Sequence, residues 1–350
     1  MRFSRILVAV FFCGGITLLG IMVWQVGLHG FTESLQTIGL WLVPFLLLEA
    51  VPQGLHTAGW AACFQGHLPL RWWQLFLVRQ AGTAINQVTP TANMGGEVVR
   101  ALLLESVLPR AQAVAPVVIG KASVTMAQMI YVSWGTLYLM WRIPLPAPLQ
   151  WTLSLTTGLI GCGLLGFVIL QRYGLFSKLL YAIAKLQIRV QPVHWLAPYL
   201  ALLDAQLVAY YTTSRQRFLC SLLLHGLGFA SDGVKTYLVL RVLLGTQAPS
   251  PAEALMVAVA VAALDQMFFF VPGRLGTLEG VRYTVLSTLG GAQIYGLAFG
   301  LIARIEHLVW SGIGLGAYAL CTHCPWVLRS RPTPASAPTA ITTTQRSVEP

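Results

Sequence analysis

Long apolar runs, separated by short connections that carry most of the basic residues, dominate the sequence. A membrane-spanning helix needs about 20 apolar residues. Two shorter runs, 72–89 and 278–290, contain or adjoin Gly and Pro, which is typical of re-entrant or broken helices. The pattern predicts an all-α polytopic integral membrane protein with about seven or eight crossings and two re-entrant or broken helices. The runs of spanning length are 6–27, 37–60, 112–141, 150–170, 218–244, 252–271 and 292–320.

The composition supports a membrane protein. Of the 350 residues, 56% are hydrophobic and 9% are charged, whereas a soluble domain carries about 25% charged residues. So little polar surface cannot cover a water-soluble globule. The net charge of +11 fits basic cytoplasmic connections and anionic lipid headgroups. No basic and aromatic platform indicates nucleic-acid binding.

The distribution of Lys and Arg predicts the orientation in the membrane. Met1–Arg5 is basic, and the long apolar run after it has no convincing cleavage site, so we expect an uncleaved first helix. The loop 171–217 is basic, with Asp204 as its one acidic residue. The positive-inside rule places this loop and the N-terminus in the cytoplasm. We expect the protein to lie in a bacterial inner membrane. Residues 1–324 then form one transmembrane domain, and 325–350 are predicted to be a disordered tail.

The sequence lacks the motifs of catalytic and metal centres. Cys321 and Cys324 form a lone CxxC pair at the end of an apolar run, without the second pair that a structural zinc site requires. No HExxH, GxSxG or P-loop sequence occurs, and no nucleophile stands beside its base. We therefore predict no metal, no cofactor and no enzymatic activity.

One pattern of acidic and basic residues occurs twice. Residues 90–100 read PTANMGGEVVR and residues 272–282 read PGRLGTLEGVR. We call these segments the first motif and the second motif. In both, a Glu follows the Pro after six intervening residues, an Arg follows the Glu at i,i+3, and Gly adjoins the Glu or lies close to it. Such long-range similarity indicates an internal repeat, which in membrane transporters brings broken helices to one polar site.

Each motif has the parts of an anion-binding site. Pro and Gly end one helix, and the next helix begins near the Glu, whose carboxylate complements the positive end of the helix dipole. Glu97 and Arg100, and likewise Glu279 and Arg282, share a helix face and can pair. An arginine beside a glycine-rich turn and a helix N-terminus suits a phosphate. Two alternatives stay open: the pairs only fix the packing of two half-helices, or the two motifs are similar by chance.

Other ionisable residues within the apolar runs predict a polar interior, because such residues are costly in a membrane and are often functional. Lys121 is a candidate for a further phosphate contact, or a lysine that extends towards the membrane surface. Asp232 can pair with Lys235 at i,i+3 spacing, and Asp265 precedes the second motif. The remaining residues of this kind are Glu49, His56, His225, Arg304, Glu306 and His307.

The two motifs, within VTPTANMGGEVVRALLL at 88–104 and FVPGRLGTLEGVR at 270–282, resemble the hallmark segments of the lysylphosphatidylglycerol synthetase transmembrane-region family, also called the flippase-like family. The resemblance extends over residues 5–320 or nearly so. Thr91 and Arg274 depart from the family pattern, which often has Gly at the first position and a small or apolar residue at the second. The positions that match are Pro90, Gly95, Gly96, Glu97, Arg100, Pro272, Gly273, Gly276, Glu279 and Gly280.

The resemblance implies a membrane domain that moves lipids between leaflets, here without the aminoacyl-transferase domain of the aminoacyl-lipid proteins. We expect translocation of a phospholipid, a glycolipid or an isoprenoid- or hopanoid-type lipid. The alternative is a non-transporting accessory protein of hopanoid or glycolipid biosynthesis. The expected partners are therefore membrane lipids and lipid-biosynthesis enzymes. The candidate substrate-binding residues are Glu97, Arg100, Glu279, Arg282, Gly95, Gly96, Gly276, Lys121, Asp232 and Asp265.

Overall fold

The computed structural model describes residues 38–65, 70–89, 95–142, 212–268, 276–288 and 293–324, together with positions 36, 68, 147, 150, 151, 154, 155, 157–159, 161–163, 166, 205, 208–210, 271, 274, 327 and 328. Helices account for all the regular structure in these residues. The α-helices are α1 (Leu42–Leu48), α2 (Ala50–Ala61), α3 (Trp72–Val88), α4 (Gly95–Glu105), α5 (Arg110–Arg142), α6 (Arg215–Leu244), α7 (Pro251–Met267), α8 (Thr277–Thr288) and α9 (Gln293–His323).

Three helices around each motif have matching lengths, although the helices before them, α2 with 12 residues and α6 with 30, do not. The helices before the Glu of each motif, α3 and α7, have 17 residues each. The helices that carry the Glu and the Arg, α4 and α8, have 11 and 12 residues. The long helices that follow, α5 and α9, have 33 and 31 residues. This correspondence agrees with the predicted internal repeat, whose halves are α2–α5 and α6–α9.

Both Glu-bearing helices begin where the sequence predicts. Gly95 starts α4 and Thr277 starts α8, so Glu97 and Glu279 both lie in a first turn. A carboxylate there complements the positive helix end. Gly276 precedes α8 with a φ of +70°, a left-handed conformation that Gly adopts without steric cost. Local sequence therefore explains how each motif enters its helix.

The two halves pack against each other reciprocally. Helix α3 packs on α9, and α7 packs on α5, while α2 packs on α6. At the α2–α6 contact, His56 Nδ1 and His225 Nδ1 are 2.9 Å apart and share a hydrogen bond. A Cβ at Gly59 would lie 2.9 Å from His225, and one at Gly228 would lie 2.8 Å from His56. Each half thus supplies one imidazole, and one glycine that makes room for the imidazole of the other half.

Several helices expose large apolar side chains and bury polar ones. On α6, Leu223 and Leu227 are 67% and 56% exposed, whereas Ser221 and His225 on the opposite face are buried. On α5, Trp134 and Leu137 are exposed and Ser123 is buried. A water-soluble helix shows the opposite arrangement. Large exposed apolar surfaces of this extent mark contact with a membrane or a partner.

Among the described helices, one stretch, Gln112–Arg142, is long and apolar enough to span a membrane by length and composition alone. Helices α6 and α9 have 30 and 31 residues, but Lys235 on α6 and Arg304 and Glu306 on α9 lie near their middles. These charged side chains are paired inside the protein. Length and composition thus detect fewer spans than the apolar pattern predicts.

Most predicted apolar runs coincide with helices, and one is interrupted. The run 37–60 bends at Glu49, between α1 and α2. Pro52 has no N–H to donate to the carbonyl of Leu48, so the helix cannot continue regularly across this position. The first run, 6–27, most of the run 150–170, most of the loop 171–217 and nearly all of the predicted tail lie outside the described residues.

Candidate functional site

A polar cavity of about 310 Å³ lies between the two halves. Helices of both halves contribute to its wall, and ionisable side chains are concentrated there although the exterior is apolar. The polar side chains of the wall are Glu49, Gln53, Gln87, Gln128, Tyr131, Asp232, Lys235, Thr236, Asp265, Gln266, Arg274, Arg282, Glu306 and His307. The apolar part includes Phe229, Leu278, Phe299 and Trp310.

The glutamate of the second motif is a buried structural anchor. The Glu279 side chain is 0% exposed and accepts two hydrogen bonds from Arg304, from Nε at 2.6 Å and from Nη2 at 2.9 Å. Arg304 Nη2 also donates to the carbonyl of Arg274 at 2.7 Å. The bidentate pair holds α8 on α9. The expected pair between Glu279 and Arg282 is therefore wrong, because packing brings an arginine of the next helix closer.

Arg282 instead faces the cavity beside Asp265. Its Nη1 donates to the Leu278 carbonyl at 2.9 Å and lies 3.5 Å from Asp265 Oδ2. Arg274 Nη1 lies 3.6 Å from the same oxygen. The Arg282 Nε is buried and has no hydrogen-bond partner among the described residues. Two guanidinium groups around one carboxylate leave this end of the cavity with a net positive charge.

Arg274 has an unusual backbone conformation. Its φ of +49° is the one positive value at a non-glycine residue among the described residues. A non-glycine side chain in this region is strained. The conformation presents the Arg274 carbonyl to Arg304 and the side chain to the cavity. The departure from the family pattern at this position therefore adds a cation to the cavity wall.

Lys235 lies in a second part of the cavity wall, which we call the acidic end. Its Nζ contacts Glu49 Oε2, Glu306 Oε1 at 2.8 Å and Asp232 Oδ1 at 3.4 Å. The predicted pair with Asp232 is thus present as the longest of three contacts. Three carboxylates around one ammonium give this end a net negative charge. Lys235 also joins the halves, because Glu49 comes just before α2 and Glu306 belongs to α9.

The first motif forms its predicted ion pair. Glu97 Oε2 accepts a hydrogen bond from Arg100 Nη1 at 2.9 Å, and Lys121 Nζ lies 3.4 Å from Glu97 Oε1. The Gly96 N–H donates to Asn86 Oδ1 at 2.6 Å, and Asn86 also reaches Glu97. The charges of α4 are thereby tied to α3 and α5. None of the residues named here lines the cavity of the second motif.

A chain of hydrogen bonds connects the first motif to the cavity. Arg100 Nη2 donates to the Arg79 carbonyl at 3.3 Å, and Arg79 Nη1 donates to Gln53 Oε1 at 2.7 Å. Gln53 Nε2 then donates to Glu49 Oε1 at 2.7 Å. Glu49 contacts Lys235. Gln53 can occupy the middle of this chain because its amide both donates and accepts.

The structure brings the predicted site residues together in two groups. Asp232, Asp265, Arg282 and the paired Glu279 lie at or behind the cavity, while Glu97, Arg100 and Lys121 meet beside α3. Gly95 and Gly96 start α4, and Gly276 shapes the turn before α8. Pro90, Thr91, Pro272 and Gly273 lie outside the described residues. Within the described residues, no group of three or more His, Cys, Asp or Glu is arranged to hold a metal ion.

The sequence analysis places Glu49 and Glu306 only among the ionisable residues of apolar runs, and it misses further residues of the cavity region. Those missed include Tyr131 and Gln53, which line the cavity, and Arg79, which donates to Gln53. Gln53 lies in the run 37–60 and Arg79 in the run 72–89. A glutamine in an apolar run is a weaker signal than a charge, because amides also occur as packing residues.

Comparison with known proteins identifies the family. Residues 5–316 match the family described as Lysylphosphatidylglycerol synthase TM region. No curated protein and no solved structure matches the chain. The match covers both motifs, the cavity and all nine described α-helices except the last turns of α9. With helices throughout the described residues, exposed apolar helix faces and ionisable side chains inside, this is a lipid-related membrane protein that belongs to the Lysylphosphatidylglycerol synthase TM region family.

Proposed function

We propose that the protein is a polytopic membrane protein that translocates a lipid headgroup between the two leaflets, with the central cavity as the headgroup site. The observation that carries the proposal is the charged cavity of about 310 Å³ between two repeated halves. Sites for small molecules range over roughly 300–1,000 Å³. The volume therefore suits a headgroup and leaves the acyl chains outside.

The exterior of the helices supports contact of the tails with the bilayer. Leu219, Leu223, Leu227, Val234 and Leu238 form an exposed apolar stripe along α6. Their neighbours on the other face of α6, including Asp232 and Lys235, line the cavity. A lipid whose headgroup entered the cavity could keep its chains against such a stripe. The hydrophobic penalty of exposing the chains to water would then be avoided.

Arg282 is the residue best suited to take the lipid phosphate. Its contact with Asp265 is 3.5 Å long, longer than a charge-assisted hydrogen bond of about 2.7–2.9 Å. A phosphate can therefore compete with Asp265 for the guanidinium group. When the cavity is empty, Asp265 keeps the arginine from being an unpaired charge in the protein interior.

The first motif has an indirect role in this proposal. Glu97 and Arg100 do not line the cavity, but they connect to it through Arg79 and Gln53. They hold α4 on α3 and α5 and thereby position Glu49 at the acidic end. Binding of a headgroup then depends directly on Arg282, and only through structure on Arg100.

Leaflet exchange in liposomes tests the proposal. Purified protein is reconstituted with fluorescent phospholipids and glycolipids, and a membrane-impermeant quencher is added outside. The native protein should expose the inner-leaflet pool to quenching. Arg282→Gln should slow exchange about tenfold or more, because a charge-assisted hydrogen bond contributes about 1.5–3 kcal/mol. Arg241→Gln is the matched control, since Arg241 is exposed and lies outside the cavity.

Two results would contradict the proposal. If the folded Arg282→Gln variant exchanges lipids at the native rate, the headgroup does not pass through the cavity at Arg282. Binding of lipids without exchange of any of them by the native protein would favour the accessory role, in which the protein presents a lipid to a biosynthetic enzyme.

A further inference from the structure

The cavity wall combines donors and acceptors in a way that distinguishes between headgroups. Four glutamines line the wall, and a glutamine amide can both donate and accept hydrogen bonds. The Gln53 amide is already bonded on both sides, and the Gln87 carbonyl oxygen accepts from Ser311. Carboxylates of the acidic end accept only, and the arginines donate only. The glutamines are Gln53, Gln87, Gln128 and Gln266. A ligand that matches this wall must therefore offer donors and acceptors at closely spaced positions.

Tyr131 contributes a hydroxyl group that lacks a hydrogen-bond partner among the described residues. Its Oη is buried, and no hydrogen bond to it is formed within the described part of the chain. The ring is held in place by stacking on Phe229, with ring centroids 6.0 Å apart. A buried polar atom without a partner is rare in folded proteins. Because Tyr131 also lines the cavity, a ligand there can supply the hydrogen-bond partner that this hydroxyl lacks.

The other unsatisfied polar atom of the wall is at the basic end. The Arg282 Nε is buried without a hydrogen-bond partner among the described residues. Its guanidinium lies over the Phe299 ring, 5.4 Å from the centroid, which fixes the plane of the fork. An oriented guanidinium with a spare N–H suits a phosphate oxygen. The wall thus has a phosphate end at Arg282 and a mixed donor and acceptor surface at Tyr131 and the glutamines.

Hydroxyl groups fit the mixed surface better than an ammonium group. An ammonium donates only, so it could bind the carboxylates but could not accept from the glutamine amides. The carboxylates beside Lys235 are already shared with its ammonium group. A hydroxyl both donates and accepts, and one hydroxyl can bridge an amide and a carboxylate. A phosphate that bears a polyol therefore satisfies both ends of the cavity.

We propose that the cavity selects phospholipids whose headgroup is a phosphate-linked polyol, with the phosphate at Arg282 and the hydroxyls at Tyr131 and the amides of Gln128 and Gln266. This inference rests on one part of the proposed function, namely that the ligand of the cavity is a lipid. It concerns recognition and requires no movement between leaflets. Tyr131 is the residue that distinguishes hydroxyl-rich headgroups from amine headgroups.

Competitive binding tests the inference apart from transport. Purified full-length protein is mixed with equal amounts of phosphatidylinositol and phosphatidylethanolamine that carry identical chains, and bound lipids are counted by native mass spectrometry. Phosphatidylinositol should bind at least about fivefold better, the worth of roughly one net hydrogen bond. Tyr131→Phe should lower this preference about fivefold. Tyr138→Phe, on the same helix but outside the cavity, should leave it unchanged.

Arg282→Gln provides the complementary variant. This substitution should weaken the binding of both lipids by similar factors, since both carry the phosphate. The preference for one lipid over the other should therefore stay unchanged. Equal binding of the two lipids by the native protein would overturn the inference, as would an unaltered preference in folded Tyr131→Phe. Displacement of the bound lipid by an equal concentration of soluble inositol phosphate would assign the site to a free phosphorylated polyol and would overturn the lipid assignment.

Binding preference and leaflet exchange can fail separately. A retained preference for the polyol lipid without exchange would contradict the proposed transport and support the headgroup assignment. Exchange of both lipids at equal rates, with no preference in binding, would support transport and overturn the headgroup assignment.

Discussion

The buried pair of Glu279 and Arg304 makes a quantitative prediction. Glu279 is 0% exposed and Arg304 is 12% exposed, and two hydrogen bonds of 2.6 and 2.9 Å join them. Glu279→Gln keeps the shape of the side chain but leaves the Arg304 charge without its carboxylate. Removal of one partner of a buried ion pair costs about 3–5 kcal/mol. We expect Glu279→Gln to reduce the free energy of unfolding by that amount.

Glu105→Gln, in an exposed ion pair, is the matched control. Glu105 Oε1 lies 3.3 Å from Arg110 Nε, and the Arg110 side chain is 65% exposed. Water can solvate the cation that is left behind, so the loss should stay nearer the ~1 kcal/mol of an exposed pair. The two Glu→Gln substitutions should thus differ in their effect on stability by at least about 2 kcal/mol.

Thermal unfolding in detergent with a thiol-reactive dye measures the difference. Cys162 and Cys220 are exposed and are replaced by Ser beforehand, whereas Cys63 is 1% exposed and becomes reactive when the fold opens. A change of ~1 kcal/mol moves the melting temperature by roughly 2–4 °C in domains of 150–250 residues, and by less in longer chains. Glu279→Gln should therefore lower the melting temperature by roughly 6–10 °C.

A double variant separates the charge effect from lost packing. In Glu279→Gln with Arg304→Gln, no buried charge is left without a partner at this site, so the double variant should be more stable than the sum of the two single losses predicts. Strict additivity would refute the reasoning from an isolated charge. A melting temperature of Glu279→Gln equal to that of Glu105→Gln would refute the structural role assigned to Glu279.

Three further predictions concern packing and the network that joins the halves. Gly96→Ala should lower the free energy of unfolding by about 1–3 kcal/mol, because its Cβ would collide with the Gly82 carbonyl. Gly226→Ala, with open space around the new Cβ, should raise the free energy of unfolding by about 0.5–1 kcal/mol. Dye-detected melting measures both changes. Lys235→Met should lower the melting temperature more than any exposed Lys or Arg substitution, since it leaves three carboxylates facing one another; an unchanged melting temperature would contradict the central role of this lysine. Gln53→Leu should interrupt the chain between the first motif and the cavity and slow leaflet exchange while Arg282-dependent lipid binding persists, as native mass spectrometry and the quenching assay can determine.

The helices were predictable because their length and apolar content are properties of contiguous sequence. The run 112–141 corresponds to Arg110–Arg142, and the run 292–320 corresponds to Gln293–His323. The pair of Glu97 with Arg100 was predictable for the same reason, since i,i+3 neighbours on one helix meet by helix geometry alone. The break of the run 37–60 at Glu49 could have been read from Pro52.

The partners of the second motif could not be predicted from spacing. Arg282 also lies at i,i+3 from Glu279, but α9 brings Arg304 to the carboxylate and leaves Arg282 facing Asp265. That choice depends on how α8 packs on α9, which no local pattern encodes. Lys235 likewise has a local partner in Asp232, yet its closer contacts come from outside its own helix. The cavity itself is a product of these long-range contacts.

The reciprocal contact of His56 and Gly59 with His225 and Gly228 has a consequence for how the protein can be assembled. The two halves recognise each other through side chains on α2 and α6, through α3 on α9, and through α7 on α5. The interface between the two halves therefore resembles the interface between two different subunits, although one chain contains both. Two genes encoding the halves separately should give fragments that associate in one membrane and recover lipid handling. A bulky residue at Gly59 in one fragment should abolish that complementation.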